Sequence, residues 1–219
     1  MAKYDLVLFD FDGTLYDTFE GVARSYVHAM RDVLGEEHDM EEFRVCLGPP
    51  LVESFRHIFH LDEETVQKCV VSFRKQYGEH DVYICTMYDG MEELLHTLRD
   101  AGIKTGIASS KPVPIINAIF ERHGQTGIVD FVSGLKIDGD DATKTEVILR
   151  ALDHFGIDKS RVCMVGDRYF DAEGARNAGI DFVAAMFGFA PSREEFAPYP
   201  CVCFADSAQE IADFILGDE

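Results

Sequence analysis

YDLVLFDFDGTLYDT, residues 4–18, is the stretch from which the rest of the chain is read. An apolar run, Leu6-Val7-Leu8-Phe9, ends in two aspartates one residue apart, and Gly13-Thr14 then turns the chain. Consecutive apolar residues leave neither face for water, so Tyr4 to Phe9 is predicted as a buried parallel strand. Asp10 and Asp12 then stand at its carboxyl end, where open α/β sheets hold their ligand crevice. In an extended chain residues i and i+2 point to one side, which places both carboxylates in one small volume. Two such charges about 4 Å apart repel by roughly 4 kcal/mol at an effective dielectric of about 20, so the pair calls for a cation or a proton. A purely structural Asp pair is the competing reading, since Asp is common at strand ends and turns.

A chain of 219 residues is long enough for one sizeable α/β core with a smaller appendage. Its 20 basic and 40 acidic residues give a formal charge of −20, a surface that repels nucleic acid and anionic membranes and argues against either as principal partner. Solubility is the plain reading of that charge. Phosphorylated ligands are repelled too, so a phosphate site has to bring local positive charge from lysine, backbone N–H groups or a metal. The six cysteines, Cys46, Cys69, Cys85, Cys163, Cys201 and Cys203, form no CxxC pair and no zinc-like spacing with histidine, and most are expected as buried free thiols. MAKYDLVLFD enters the core strand directly, leaving no room for a signal peptide, and no apolar run approaches membrane-spanning length. A reducing cytoplasm is the expected setting.

Beyond the first strand, Thr18 is placed to cap a helix running to about Leu34, with Val22, Tyr26, Ala29, Met30 and Val33 at helical spacing and Gly35 as the stop. Helical patterns follow at about 39–47, 51–60 and 62–78, so residues 16 to about 85 read as a helical insertion without a convincing strand. Strands and helices then alternate. A helix at 89–101, strand Lys104 to Ala108, a helix opened by Pro112 and strand Ile128 to Val132 come first. Helix 143–155, strand Arg161 to Val165, helix 169–178, strand Asp181 to Ala185, a short strand near Val202 and a helix at 207–216 close the chain. That alternation predicts a parallel sheet covered on both faces.

Three later segments carry polar groups to strand ends. Ser109-Ser110-Lys111-Pro112 follows strand 104–108 just before a helix start, where a hydroxyl, backbone donors and the positive end of a helix dipole would face an anion; an ordinary Ser N-cap is the alternative. Lys144, in DDATKTEVILRAL, sits in a first helical turn, where a cation opposes the dipole; a solvated surface lysine is the alternative. VCMVGDRYFD, residues 162–171, delivers Asp167 at a strand end with Asp171 at the next helix start, positions where a lone acid would be normal capping chemistry.

Taken together, these segments resemble the four ordered signatures of the haloacid dehalogenase-like (HAD) phosphohydrolases, over residues 1–18 and 86–190. FDFDGTLYDT resembles the first, in which Asp10 is the nucleophile and Asp12 the general acid/base. Ser109 matches the hydroxyl of the second, with Ser110 where Asn is usual, and Lys144 matches the third, with Thr145 where Pro is usual. GDRYFD resembles the fourth, GDxxxD, which holds magnesium: Asp10, Asp167 and the carbonyl of Asp12 are the expected Mg2+ ligands, with Asp171 bound through water or behind them. The resemblance implies a Rossmann-like doubly wound parallel sheet, residues 1–15 and 86–219, with an inserted α-helical cap, residues 16–85. It also implies a magnesium-dependent phosphatase that hydrolyses a small phosphorylated metabolite through an aspartyl-phosphate. Lys144, Ser109 and backbone donors near Phe11 and Ser110 would hold the phosphate. Several effects must act together in such a reaction, since general acid–base help supplies only about 10² to 10⁴ of accelerations that reach about 10²¹.

The insert lies between Asp12 and the next core element, which suits a lid. It is similar to the helical cap of the phosphoglycolate phosphatase-like branch, which the Gly48-Pro49-Pro50-Leu51 turn and GFAPSREEF, residues 188–196, also resemble. Arg44, Arg56 and His57 are candidate substrate contacts there, against an exposed helix face as the plainer reading. A 5'-nucleotidase or sugar-phosphate phosphatase is the alternative within the class. A β-phosphoglucomutase-type mutase is disfavoured by Val22 at the position of its cap histidine. A phosphonatase needs a Schiff-base lysine in the cap, where only Lys68 and Lys75 stand and look solvated. A signalling receiver domain, which also groups acids, a hydroxyl and a lysine, is much shorter and lacks both the insert and the DxDGT string.

Overall fold

The structure, a computed structural model, describes residues 2–137 and 142–217. In chain order the elements are β1 (Leu6–Phe9), β2 (Tyr16–Asp17), α1 (Phe19–Leu34), α2 (Leu51–Glu53), α3 (Glu63–Gln76), β3 (Thr86–Met87), α4 (Met91–Asp100) and β4 (Lys104–Pro112). They continue with α5 (Val113–Arg122), β5 (Phe131–Leu135), α6 (Lys144–Phe155), β6 (Val162–Gly166), α7 (Tyr169–Ala178), β7 (Asp181–Ala185), β8 (Cys203–Ala205) and α8 (Ala208–Leu216). The chain forms two compact units: one holds the chain up to Tyr16 and from Met87 onward, the other holds Asp17–Thr86.

The first unit is an α/β, doubly wound parallel sheet of six strands in the order β5-β4-β1-β6-β7-β8. From β1 the chain builds outward through β4 and β5, then returns to the other side of β1 to lay down β6, β7 and β8. The strand order therefore reverses between β1 and β6, and a sheet of this kind takes its ligand at the carboxyl ends beside that switch point. Leu6 and Leu8 of β1 and Met164 of β6 pack with Val147 and Ile148 of α6 and Ala172 and Ala175 of α7. Val7 and Phe9, which point to the other face, are also fully buried, as strands covered on both sides require.

Several predicted boundaries move. β1 starts at Leu6, where its pairing with β4 and β6 begins; Tyr4 before it is buried and donates its hydroxyl to Asp181 Oδ2 at 2.7 Å. β4 runs on to Pro112, with a break of register between Ala108 and Pro112. β5 occupies Phe131–Leu135 and not Ile128 to Val132: Ile128 closes a turn onto the Gln125 carbonyl at 3.0 Å and is buried there. Thr18 does not cap α1 through its side chain; Asp17 Oδ1 accepts from the Phe19 N–H at 3.0 Å instead.

The second unit is helical and has its own aromatic centre. Tyr26 of α1 stacks on Phe43 with centroids 5.1 Å apart and meets Phe55 at 5.1 Å and Phe73 of α3 at 4.8 Å. The predicted helix at 39–47 is a 3-10 turn over Met40–Cys46, started by a capping box between Asp39 and Glu42. The predicted helix at 51–60 is the short α2 followed by a π-type turn, Ser54–Ile58. Buried Asp81 accepts from Ser25 Oγ at 2.9 Å and Gln76 Nε2 at 3.0 Å. The stretch 16–85 holds one two-residue strand, β2 at its start, which pairs with β3 just past its end. All six cysteines are free; Cys46, Cys69 and Cys163 are buried, and Cys85, Cys201 and Cys203 half-buried. Among the described residues no helix is long and apolar enough to cross a membrane.

Candidate active site

The tips of β1 and β6 are tied together where Asp10 N–H donates to the Val165 carbonyl at 2.9 Å. Carboxylate oxygens of Asp10, Asp167 and Asp171, all buried, lie within 4.8 Å of one another. Lys144 Nζ stands 2.8 Å from Asp10 Oδ1 and 2.8 Å from Asp171 Oδ1, and donates to the Ala108 carbonyl at 3.2 Å. This explains a cation in the first turn of α6: its side chain is buried against two carboxylates, which outweigh the unfavourable dipole. The surface-lysine alternative is thereby set aside.

Asp10 and Asp171 share the Lys144 ammonium, with the Asp167 carboxylate beside them. Burial pushes the Asp10 carboxyl up to about 6, against the pull of Lys144 and with a further push from Asp171. Burial, then Asp171 and Asp10, hold Asp167 well above the usual carboxylate range. Burial alone would lower the Lys144 ammonium, but Asp10 and Asp171 prevail and hold it above its ordinary value. Oδ1 of Asp10 and Oδ1 of Asp171 are both buried and both face the one Lys144 ammonium. Hard oxygen donors and excess negative charge in one buried volume fit a hard divalent cation.

Backbone geometry holds the cluster in place. Asp167 Oδ1 accepts from Thr14 Oγ1 at 3.1 Å, and Oδ2 from the Phe189 N–H at 2.7 Å. Gly13 has φ +79°, and a Cβ there would overlap the Asp167 carboxylate and the Phe189 ring. A Cβ on Gly188 would run into the Gly13 carbonyl and Asp167 itself. Asp171 Oδ2 accepts from the Arg168 N–H at 3.0 Å, while Arg168 Nε at 2.8 Å and the Tyr169 N–H at 2.9 Å both donate to Glu195. Residues 188–196 thus brace the acidic loop. Neither Thr14 nor GFAPSREEF shows this bracing role in the sequence, because the groups they meet are 153 and 22 to 27 residues away.

Asp12 is not a member of the three-carboxylate group. The chain leaves the extended conformation after Phe9 and folds into a turn in which Leu15 and Tyr16 N–H donate to the Phe11 carbonyl at 3.1 and 2.9 Å. Each aspartate meets its own lysine, Asp10 with Lys144 and Asp12 Oδ1 with Lys111 Nζ, each at 2.8 Å. Lys111 is the site neighbour that sequence reasoning passed over. Ser109 is buried, accepts from the Lys111 N–H at 3.2 Å and hydrogen-bonds the Asp10 carboxylate. Ser110 is exposed within β4, and α5 begins only at Val113. The Phe11 ring is core, stacked on Tyr16 at 4.7 Å and edge-on to Phe120 at 5.6 Å.

In the helical unit the candidate cations have local acidic partners. Arg44 pairs with Glu41 at 2.9 Å and lies over the Phe19 ring; Arg56 bridges Glu53 at 2.8 Å and Glu63 at 2.7 Å; His57 meets Glu53 at 2.9 Å. Lys68 pairs with Glu64 at 2.7 Å and Lys75 is exposed, as expected of solvated lysines.

The first unit is thus a doubly wound sheet with a buried acid–lysine cluster at its switch point. Residues 7–185 match the family described as haloacid dehalogenase-like hydrolase, and the chain belongs to that family. A 5'-nucleotidase from Pseudomonas aeruginosa is 31% identical over 211 residues, covering 94% of this chain and 93% of that one. Tyrosine-protein kinase PtkA from Mycobacterium tuberculosis is 31% identical over 184 residues; the match takes in 84% of this chain but 62% of that protein's length. The crystal structure of a predicted phosphatase from Clostridium acetobutylicum superposes with a TM-score of 0.91 at 31% identity, covering 98% of this chain and 99% of that one. The protein is an enzyme, a hydrolase of phosphate esters.

Proposed function

We propose that this enzyme is a magnesium-dependent phosphatase that hydrolyses a small phosphorylated metabolite through an aspartyl-phosphate, in the manner of the phosphoglycolate phosphatase-like branch. The observation that carries the reading is the buried group of Asp10, Asp167 and Asp171 with Lys144 against it. The donor set suits Mg2+, held by Asp10, Asp167 and the Asp12 carbonyl with Asp171 beside them; when bound, the ion supplies charge stabilisation at phosphoryl oxygens. The chain's own residues do the rest. Asp10 forms a bond to phosphorus as the bond to the leaving oxygen breaks, and Asp12 gives that oxygen a proton. In the second step Asp12 takes a proton from the attacking water and Asp10 is released. Lys144 offsets charge at Asp10, Ser109 orients its carboxylate, and backbone donors near Phe11 and Ser110 take phosphoryl oxygens.

The division into a core, residues 1–15 and 86–219, and an inserted helical cap, residues 16–85, belongs to the same proposal. Free thiols at all six cysteines support a reducing, cytoplasmic setting. The relative named 5'-nucleotidase favours a nucleoside monophosphate as the second reading of the substrate. The kinase relative extends well beyond the matched region, and its activity is not carried over. The test is hydrolysis of a panel of phosphorylated metabolites and 4-nitrophenyl phosphate with magnesium, with EDTA, and after magnesium is restored. Turnover that EDTA stops and magnesium restores is expected. Undiminished turnover in EDTA contradicts the site.

A further inference from the structure

Lys111 has no part in the chemistry above, yet it is buried, and its position is set from several sides. β1 and β4 are parallel neighbours in register at Phe9 and Ile107, and just past that point each segment carries two polar side chains at i and i+2. After β1 these are Asp10 and Asp12, in the segment that follows its last residue; in β4 they are Ser109 and Lys111. They meet in order: the Ser109 hydroxyl bonds Asp10, and Lys111 Nζ lies 2.8 Å from Asp12 Oδ1.

The geometry of β4 makes this meeting possible. Ala108 pairs with Ser133 and Pro112 with Leu135, so β4 carries more residues than β5 between those two pairs, and Ser109-Ser110-Lys111 bulges out of the ladder. Bulges re-aim side chains beside active sites. The ammonium also lies 5.6 Å from the centre of the Phe11 ring, itself fixed by stacking on Tyr16. Lys111 is therefore held before it touches Asp12.

We propose that Lys111 is a positioning residue for the proton-transfer carboxylate: it clamps Asp12 Oδ1, so that Oδ2 is the oxygen presented for both proton transfers. The proposal rests on the phosphatase reading. An Asp side chain turns about two bonds, and a carboxylate held by one oxygen leaves the other in a defined place. As the ester P–O bond breaks and the Asp10–phosphorus bond forms, the proton moves from Oδ2 to the leaving oxygen. As water bonds phosphorus and Asp10 departs, a water proton returns to Oδ2. Without the clamp Asp12 is still present but poorly aimed.

The consequence depends on the leaving group. A nitrophenolate departs without a proton, whereas a poorer leaving group needs one. The experiment compares wild type, Lys111→Met and Lys111→Arg on a series of substituted phenyl phosphates, from 4-nitrophenyl through phenyl to 4-methoxyphenyl phosphate, at saturating magnesium. For Lys111→Met, kcat/KM should fall by about tenfold or more for the unactivated esters and by less than about threefold for 4-nitrophenyl phosphate. Lys111→Arg, which keeps a cation in reach, should restore much of the loss. An equal loss across the series, or no loss anywhere, overturns the assignment, because a merely structural brace has no reason to distinguish leaving groups. If wild type hydrolyses neither this series nor any of the phosphorylated metabolites in the panel, the phosphatase reading itself fails, and the proposal with it.

Discussion

Asp10, Asp167 and Asp171 are buried within 4.8 Å of one another around Lys144, whereas Arg44, Arg56 and His57 in the helical unit stand on half-buried or exposed positions beside glutamates of their own stretch. Both regions are rich in ion pairs, but the physics differs. Exposed pairs three or four residues apart gain little, because water screens them and two long side chains must be ordered. In the cluster, burial raises every charge interaction, and like charges are kept together that would separate if they were free to move. Charge density under enforced packing, and not the number of ion pairs, is what singles out the candidate site.

The comparison breaks most visibly at the packing that enforces it. Gly13→Ala must accept φ +79° and drive a methyl into the Asp167 carboxylate and the Phe189 ring. A loss of about 2 kcal/mol or more in folding stability, together with loss of turnover, is expected from urea unfolding and from assay. Wild-type stability in that variant would show that the loop does not hold the cluster.

A smaller effect is expected with pH. Asp10 in the metal-free protein holds its proton more tightly than in the unfolded chain, with its carboxyl pushed up to about 6 from 3.8. A raised carboxyl contributes stability in full below the unfolded value and loses that contribution as pH rises through the folded one. The stability of metal-free wild type relative to Asp10→Asn should therefore fall between about pH 4 and pH 6.5. Magnesium should recover stability over the same window, by about 2.7 kcal/mol at a hundredfold excess over Kd. A flat difference across that range would mean the carboxyl is not desolvated.

The smallest effect belongs to the helical unit. Arg56 bridges two exposed glutamates, and Arg56→Ala should shift Tm by no more than about two degrees. A larger shift would remove the contrast between the two regions.

Much of this was legible in the sequence where a residue's type and neighbours agreed. The apolar run ending at Asp10, the helix at 169–178 and the strand Asp181–Ala185 lie where periodicity and capping put them. Asp10, Lys144, Asp167 and Asp171 were nominated from separate segments, and the fold gathers them. Burial misled the reading at Ile128 and Val129, which are apolar and buried but lie in a turn, while β5 contains Ser133 and Gly134 and so looks weaker than it is. Period-two alternation holds only while a strand stays extended, and this one ends at Phe9, so the pattern does not report the lysine that Asp12 meets. Lys111 escaped notice because its partner is 99 residues away and nothing local shows the bulge that turns it toward Asp12. Local pattern reports faces and ends; it does not report which ends meet.

The central claim is that Asp10 accepts the phosphoryl group, and the direct measurement is to find that group. Wild type and Asp10→Asn would be quenched in acid during turnover of a phosphorylated substrate with magnesium, digested, and mapped by mass spectrometry. One acid-labile phosphoryl group on the peptide carrying Asp10 in wild type, and none in the variant, is the predicted result. Label on another residue, or steady turnover by Asp10→Asn, would contradict it.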